Sequence, residues 1–86
     1  MMSYYIYLLR CQDGSLYAGS CKDLHERERI HNTGKGAKYT RSRLPVHIVY
    51  SEEYATRSEA LKREAEVKRL SKESKEHLTQ KIDNNT

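Results

Sequence analysis

Three residue types in this sequence could together hydrolyse a phosphodiester bond. Such hydrolysis needs a cation at the phosphate, a donor for the developing charge, a base for the water and help for the leaving oxygen. Arg27 is a permanent cation whose fork of donors matches phosphate oxygens. Glu64 is the candidate metal ligand. One carboxylate completed by water and phosphate oxygens suits Mg²⁺, so we expect a single Mg²⁺ or Mn²⁺ ion at Glu64.

Tyr7 and Tyr17 supply the third residue type, a phenol hydroxyl. A strand would position these hydroxyls more rigidly than a loop would. A free tyrosine has a pKa near ~10, so a tyrosine that acts as a base must be helped by nearby positive charge. Arg27, His31 and the metal ion could supply that charge.

Residues 4–21 predict a β-hairpin that carries both tyrosines. Strand-forming residues surround Tyr7 and Tyr17. Asp13-Gly14 lies between them as a turn signal, because glycine accepts positive φ without steric cost. The predicted strands are residues 4–11 and 15–21.

The length of the turn decides which side chains share a face of this hairpin. A two-residue loop would pair Tyr7 with Ser20 and would place Tyr7 and Tyr17 on opposite faces. One more loop residue, or a bulge at Gly14, would pair Tyr7 with Cys21 instead. We favour this second register because it separates an apolar face from a polar-aromatic one. Its two faces carry Tyr5, Tyr7, Tyr17 and Gly19 on one side, and Ile6, Leu8, Leu16 and Ala18 on the other.

A helix over about residues 24–32 is predicted next. Asp23 is its expected N-cap, and Glu26 would complete a capping box. Arg27 and His31 are four residues apart, so they project from one face of the helix. The spacing alone is more typical of a solvated, charged helix without a functional role.

A basic loop over residues 33–45 follows this helix. Its four cations, with no acidic residue among them, are Lys35, Lys38, Arg41 and Arg43. Gly34 and Gly36 would let the backbone approach a partner closely. Tyr39 and the hydroxyls of Thr40 and Ser42 could add hydrogen bonds to phosphate. We therefore predict nucleic-acid contacts here, with a merely solvated loop as the alternative.

Pro45 is expected to introduce a third strand over residues 46–50. Alternation along this strand would place Val46, Ile48 and Tyr50 on one face. His47, on the other face, is interpreted as an ordinary strand residue.

A longer helix is predicted over about residues 57–70, begun by a capping box between Thr56 and Glu59. Its apolar stripe consists of Ala60, Leu61, Val67 and, at the margin, Ala65. Glu64 lies in the middle of this stripe, where a bare charge would be costly to bury. The carboxylate therefore needs a cation such as Lys68, one turn away, a hydrogen-bond network, or a metal ion at the edge of a cleft.

The remaining features bound the class of protein. A length of eighty-six residues predicts one domain, at 1–82, followed by a disordered tail at 83–86. The domain is expected to end in a helix over residues 72–81. Ser71 would cap this helix, and Leu78 and Ile82 would anchor it. No apolar run approaches the ~20 residues that span a bilayer, so we expect a cytoplasmic protein without membrane contact. A net charge of +4 and a pI of about 9.1 favour a polyanionic partner. The only two cysteines are too far apart in either register for a disulfide, and they lack zinc-site spacing.

Several of these segments resemble the GIY-YIG nuclease family. Tyr5-Ile6-Tyr7 and Tyr17-Ala18-Gly19 are similar to the two halves of its signature, although Tyr5 replaces a glycine and Ala18 an isoleucine. The similarity continues through Arg27, GKGAKYTRSRLP at 34–45 and RSEALKREAEVKRLS at 57–71, and covers roughly residues 4–78. The match is to small, stand-alone bacterial members of the family.

The resemblance implies a role for each matching residue. Tyr7 would be the general base and Tyr17 would position water or phosphate. Arg27 would stabilise the transition state and Glu64 would bind one divalent metal ion. His31 matches a position that is often histidine in the small members. The implied fold is α+β, with a small three-stranded, mainly antiparallel sheet, helices that cover it and the order β-β-α-β-α-α.

We therefore expect a Mg²⁺-dependent DNA endonuclease, with RNA as a possible substrate. The chain lacks an added DNA-binding domain, so its intrinsic sequence specificity should be low, and a partner protein could supply targeting. We expect a monomer. The alternatives are a non-catalytic nucleic-acid-binding module that keeps the site geometry, and an interaction protein whose basic surface meets an acidic protein.

Overall fold

A three-stranded antiparallel sheet lies at the centre of the structure, a computed structural model that describes residues 2–81. The strand order is β2-β1-β3, so the first strand is central and the other two are edges. The elements in chain order are β1 (Tyr4–Arg10), β2 (Leu16–Cys21), α1 (Leu24–Asn32), α2 (Lys38–Arg41), β3 (His47–Tyr54), α3 (Arg57–Lys68) and α4 (Lys72–Lys81). The predicted α+β fold and its order are confirmed, and α2 is an additional short helix within the basic loop.

The β1–β2 hairpin has the predicted faces but not the predicted pairing. Tyr7 pairs with Gly19 and Leu9 pairs with Tyr17, two residues away from the expected register. The centre of the turn lies one residue earlier than predicted. The last hydrogen bond before the turn runs from Cys11 N–H to Ser15 O, at 2.9 Å. The three loop residues are 12–14, with Gly14 at φ 87°. A shift by two residues keeps every side chain on its face.

The sheet separates two apolar clusters. The cluster on the side of α3 and α4 consists of Ile6, Leu8, Ala18, Ala60, Val67 and Leu78. The cluster on the side of α1 consists of Tyr7, Leu9, Cys11 and Val46, with Tyr17, Leu24 and Ile48 packed against it. Tyr7 and Tyr17 therefore face α1, whereas the helix that carries Glu64 covers the opposite face.

A β-bulge in β3 changes the face of one predicted residue. Leu8 pairs with Tyr50 and Leu9 pairs with Ile48, which leaves Val49 as the extra residue. Ile48 packs on the α1 side, but Tyr50 packs on the α3 side. The prediction that Ile48 and Tyr50 share a face is therefore wrong, because strict alternation does not survive an inserted residue. His47 is exposed and pairs with Arg10 on β1.

Helix α1 has the predicted bounds and is fastened to β3 by side chains. The Asp23 carboxylate accepts from Glu26 N–H at 3.0 Å, as expected of an N-cap. The Glu28 carboxylate accepts from Ile48 N–H at 2.7 Å. The Asn32 amide accepts from Val46 N–H at 2.8 Å and donates to its carbonyl at 2.9 Å. These bonds hold the helix against the start of β3. The side chain of Glu26 binds Arg29, so the second half of the predicted capping box is not formed.

Helix α3 begins with the predicted capping box between Thr56 and Glu59 and ends two residues early, at Lys68. Its stripe is narrower than predicted. Ala60 and Val67 are buried, but Leu61 is 40% exposed and Ala65 is exposed. The prediction that these two side chains belong to the apolar stripe is wrong, because only Ala60 and Val67 pack into the cluster on this side of the sheet.

Helix α4 has the predicted bounds, with Leu78 buried and the Ser71 hydroxyl accepting from Ser74 N–H at 3.1 Å. Glu76 binds the Arg10 guanidinium with both oxygens and so ties α4 to β1. Ile82 and the tail at 83–86 lie outside the described residues. Cys11 and Cys21 are both free thiols, as predicted. Between residues 2 and 81, no helix combines the length and apolar character that crossing a membrane requires.

Candidate functional site

A buried hydrogen bond joins two of the predicted site residues. The Tyr7 hydroxyl lies 3.1 Å from His31 Nε2, and the two residues are only 1% and 2% exposed. The His31 ring is edge-on to Tyr7 and also to Tyr17, with ring centroids 6.1 and 5.7 Å apart. Strand β1, strand β2 and helix α1 thus bring Tyr7, Tyr17 and His31 into direct contact.

The second ring nitrogen of His31 is held by the basic segment. His31 Nδ1 lies 3.0 Å from the Thr40 hydroxyl, which in turn lies 2.9 Å from the Ala37 carbonyl and can donate its one hydrogen there. Thr40 then accepts from an Nδ1–H. The Ala37 N–H approaches Nδ1 only at 3.4 Å, too far for a strong bond. This network favours a neutral His31 with a free lone pair on Nε2, to which the Tyr7 hydroxyl donates.

Two glycines leave the space that this pair of side chains occupies. A Cβ added at Gly19 would lie 2.4 Å from the Tyr7 hydroxyl oxygen, and one at Gly36 would lie 2.3 Å from His31 Nδ1. Of these two glycines, Gly36 was expected from the sequence to let the backbone approach a binding partner. In the structure the space is filled by the protein's own Tyr7 and His31.

Arg27 is placed beside this pair, at a cleft of about 380 Å³. The cleft is lined by Tyr7, Tyr17, Arg27, Ile30, His31, Lys35, Gly36 and Ala37. Burial raises the pKa of Tyr7 to about 12, although the charge of Arg27 and its hydrogen bond oppose the rise. Burial also lowers the pKa of His31, and the Arg27 charge adds to that effect. Both groups are therefore neutral near pH 7.

Glu64 adjoins the cleft but does not line it. The Ser20 hydroxyl donates to one carboxylate oxygen at 2.7 Å, and Lys68 Nζ lies 3.0 Å from the other. Lys68 Nζ is also 6.0 Å from the Tyr17 ring centroid, so the ion pair lies next to Tyr17. The predicted Glu64–Lys68 pair is thus present, and the Glu64 side chain is only 17% exposed.

The Glu64 carboxylate has the charge that a metal ligand needs. Burial raises its pKa, but hydrogen bonds from Ser20 and Lys68 and the charges of Lys68 and Arg27 outweigh burial and hold the pKa below its usual value. No group of three histidine, cysteine or acidic side chains within residues 2–81 could enclose a metal ion. One ionised carboxylate beside a cleft fits an ion that keeps most of its water ligands, as Mg²⁺ does.

The four predicted nucleic-acid-binding cations differ in their surroundings. Lys35 lines the cleft, and Lys38 and Arg41 are exposed on or beside α2. Arg43 instead pairs with Asp13 at 3.0 Å and lies 3.9 Å from the Tyr39 ring centroid. The Tyr39 ring itself stacks on Tyr17, with centroids 5.9 Å apart. Arg43 therefore supports the wall that holds Tyr17, which leaves less of its guanidinium available for phosphate.

Sequence reasoning missed two residues that position the predicted ones. The Thr40 hydroxyl was expected to contact phosphate, and this is wrong, because Thr40 is fully buried and its hydroxyl lies against His31 Nδ1. No spacing in the sequence signals that position. Ser20 binds Glu64. The alternation of β2 could have placed Ser20 on the α3 side, together with Ala18, but nothing local indicates its partner.

Comparison with known proteins identifies relatives of this chain. The family model described as the GIY-YIG catalytic domain matches residues 3–77. UPF0213 proteins of Staphylococcus aureus, strains Mu3 and N315, are each 53% identical over 78 residues, which is 91% of this chain and 95% of theirs.

Two solved structures are also similar. The solution NMR structure of a UPF0213 protein from Bacillus halodurans has a TM-score of 0.57 and 45% identity, covering 90% of this chain and 82% of that one. The solution NMR structure of a protein from E. faecalis has a TM-score of 0.63 and 42% identity, covering 96% of this chain and 88% of that one. The family match includes every residue that lines the cleft, from Tyr7 to Ala37, and also Glu64, and so this chain belongs to the GIY-YIG nuclease family.

Proposed function

We propose that this protein is a divalent-metal-dependent DNA endonuclease in which Tyr7, Tyr17, Arg27, His31 and Glu64 are the catalytic residues. The observation that carries the proposal is the convergence of two phenols, an imidazole and a guanidinium on one cleft, with an ionised carboxylate at its edge. These groups come from four different elements, and packing alone does not require such a set of polar side chains in one place.

Arg27 binds the scissile phosphate, because it lines the cleft and has no ion-pair partner within residues 2–81. Glu64 would hold the metal ion, and when bound that ion supplies positive charge at the phosphate. Tyr17 positions the water or a phosphate oxygen at the cleft wall. Lys35, Lys38 and Arg41, together with the remaining donors of Arg43, contact the flanking phosphates.

Tyr7 and His31 move the proton of the attacking water. A phenolate is disfavoured at Tyr7, whose pKa is raised to about 12 by burial. The hydrogen bond to His31 Nε2 removes the need for a free phenolate, because Tyr7 can take the water proton while its own proton passes to His31. The resulting imidazolium is stabilised by the anionic phosphate that Arg27 holds.

Cleavage of labelled oligonucleotides tests the proposal. Single-stranded, duplex and branched DNA, and RNA, are incubated with Mg²⁺, Mn²⁺ or EDTA. We expect cleavage of DNA with metal only, and a loss of about 100-fold or more in Glu64→Gln and Arg27→Ala. Matched controls are Glu66→Gln and Arg29→Ala, which change exposed residues of the same two helices. Circular dichroism verifies that each variant is folded. Cleavage that survives both site substitutions would disprove the assignment.

The second candidate function is a nucleic-acid-binding module without catalysis. The high pKa of Tyr7, raised by burial, and the low pKa of His31, lowered by burial, favour it, because both groups resist ionisation in the free protein. Such a module would bind DNA with an affinity that falls steeply with salt. Binding of this kind with no cleavage under any metal condition would support the module over the enzyme.

A further inference from the structure

A second cleft, of about 430 Å³, lies on the other side of Arg27. It shares Arg27 and Ile30 with the candidate active site, so the two clefts are neighbours. Its other walls come from the end of β2, the start of α1 and the first turns of α3. Ser20, which binds Glu64, also lines it.

Cations with no carboxylate partner line this cleft. Lys22 and Arg57 join Arg27 there, and none of the three forms an ion pair with any described residue. The two acids of the lining are already engaged. Asp23 caps α1, and Glu26 is paired with Arg29. The available charge in the cleft is therefore positive, which favours an anionic ligand.

The floor of the same cleft is apolar. Leu61 of α3 is 40% exposed and lines the cleft. Ile30 and Tyr4 are half-buried beside it, and Lys22 Nζ lies 5.5 Å from the Tyr4 ring centroid. An apolar surface rimmed by cations suits a ligand with a flat apolar part and a phosphate.

We propose that this second cleft binds one unpaired nucleotide of the substrate, next to the phosphate held by Arg27. Lys22 and Arg57 contact its phosphate, and its base and sugar lie on Leu61 and Ile30. The proposal rests on the proposed function, because it takes the phosphate next to this nucleotide to be the scissile one. A base that is stacked and paired in a duplex cannot enter the cleft, so the preferred substrates carry an unpaired nucleotide at the cleavage point.

Binding of a small probe tests this proposal without cleavage. The probe is the dinucleotide pTpT, titrated into ¹⁵N-labelled Glu64→Gln protein and followed by amide chemical shifts. We expect saturable shifts at the amides of Lys22, Arg57 and Leu61. Arg57→Ala should weaken binding about fivefold through loss of a charged contact, and Leu61→Ser about threefold through loss of apolar surface. Lys62→Ala, a charge change next to Leu61 but outside the cleft, should leave the affinity unchanged.

Three outcomes would overturn the proposal. Inorganic phosphate that binds as tightly as pTpT would indicate a simple anion site, and so would an affinity that Leu61→Ser leaves unchanged. Shifts confined to Tyr17, Lys35 and Gly36 would place the nucleotide in the first cleft alone. Failure of the proposed function is seen separately, as absence of metal-dependent cleavage by the wild-type protein, whether or not pTpT binds.

Discussion

The Tyr7 hydroxyl is the most confined polar group of the candidate site. It contacts His31 on one side and fills the space above Gly19 on the other. Its position therefore depends on Gly19, which takes no part in the chemistry, as well as on His31. The same is true of His31, whose ring is held between Thr40 and the backbone at Gly36. At this scale, the site consists of two buried side chains and the two glycines that make room for them.

Gly36→Ala should displace His31. Neither Gly36 nor Gly19 has a positive φ, so the backbone can accept alanine at either position. The effect of the substitution therefore depends on the contact between the added methyl group and the neighbouring side chain. The added methyl would overlap His31 Nδ1 at 2.3 Å, and we expect the free energy of unfolding to fall by about 1–3 kcal/mol. Urea denaturation measures this change.

A double variant separates overlap from any other effect of the Gly36 substitution. In His31→Ala the ring is absent, so adding Gly36→Ala to that background should cost almost nothing further. Equal losses of stability from Gly36→Ala in the two backgrounds would show that His31 is not the group the methyl meets.

At the scale of elements, β2 joins the two halves of the site. Tyr17 and Gly19 face α1, while Ala18 and Ser20 face α3. Glu64 on α3 binds Ser20 on its own side of the sheet. Because β2 is an edge strand, the Lys68 that pairs with Glu64 can also lie near Tyr17, 6.0 Å from its ring centroid. A central strand would have separated the carboxylate from the phenols completely.

Thr56→Ala tests how much the start of α3 contributes to stability. The Thr56 hydroxyl accepts from Glu59 N–H at 3.2 Å, and the Glu59 carboxylate accepts in return from the Thr56 backbone. Losing this cap should lower the free energy of unfolding by about 1 kcal/mol. Ser58→Ala, in the same turn but without a cap role, should stay within about 0.5 kcal/mol of wild type. Thermal and urea unfolding of both variants provide the comparison, and equal effects would contradict a specific role for the cap.

For the whole molecule, buried phenols link stability to pH. The pKa values of Tyr7, Tyr50 and Tyr54 are each raised to about 12, in every case first by burial, and at Tyr50 and Tyr54 also by hydrogen bonds to Glu52. The ordinary value for tyrosine is 10.0. The folded protein therefore holds these protons more tightly than the unfolded chain does.

Stability should consequently fall under alkaline conditions. The contribution of these phenols is complete below about pH 10, the unfolded pKa, and is lost as the pH rises toward 12, the folded pKa. Urea midpoints at pH 9, 10.5 and 11.5 measure the decline. In Tyr7→Phe, the free energy of unfolding should fall less steeply with pH than in the wild type, by up to about 1.4 kcal/mol per pH unit in this range. A slope identical to that of wild type would show that Tyr7 ionises as freely as in the unfolded chain.

Local patterns in the sequence were enough for the element order, both caps and the faces of the hairpin. The caps at Asp23 and Thr56 are confirmed because a side chain and a backbone amide three residues away decide them. The faces of Tyr7 and Tyr17 are confirmed because alternation survives a shift of two residues. The family itself was identified from residues that match its motifs, and its match to residues 3–77 confirms it. The catalytic roles of those residues and the single-domain organisation stay predictions.

Features that depend on distant partners were settled by packing of the whole chain. The bulge at Val49 moved Tyr50 to the other face, and Leu61 lies outside the apolar cluster under α3. Thr40, Ser20 and Gly36 gained their roles only when α2, β2 and the loop before α2 met His31 and Glu64. Local sequence governs hydrogen bonds between near neighbours, whereas contacts across the sheet depend on how all the elements fill a shared volume.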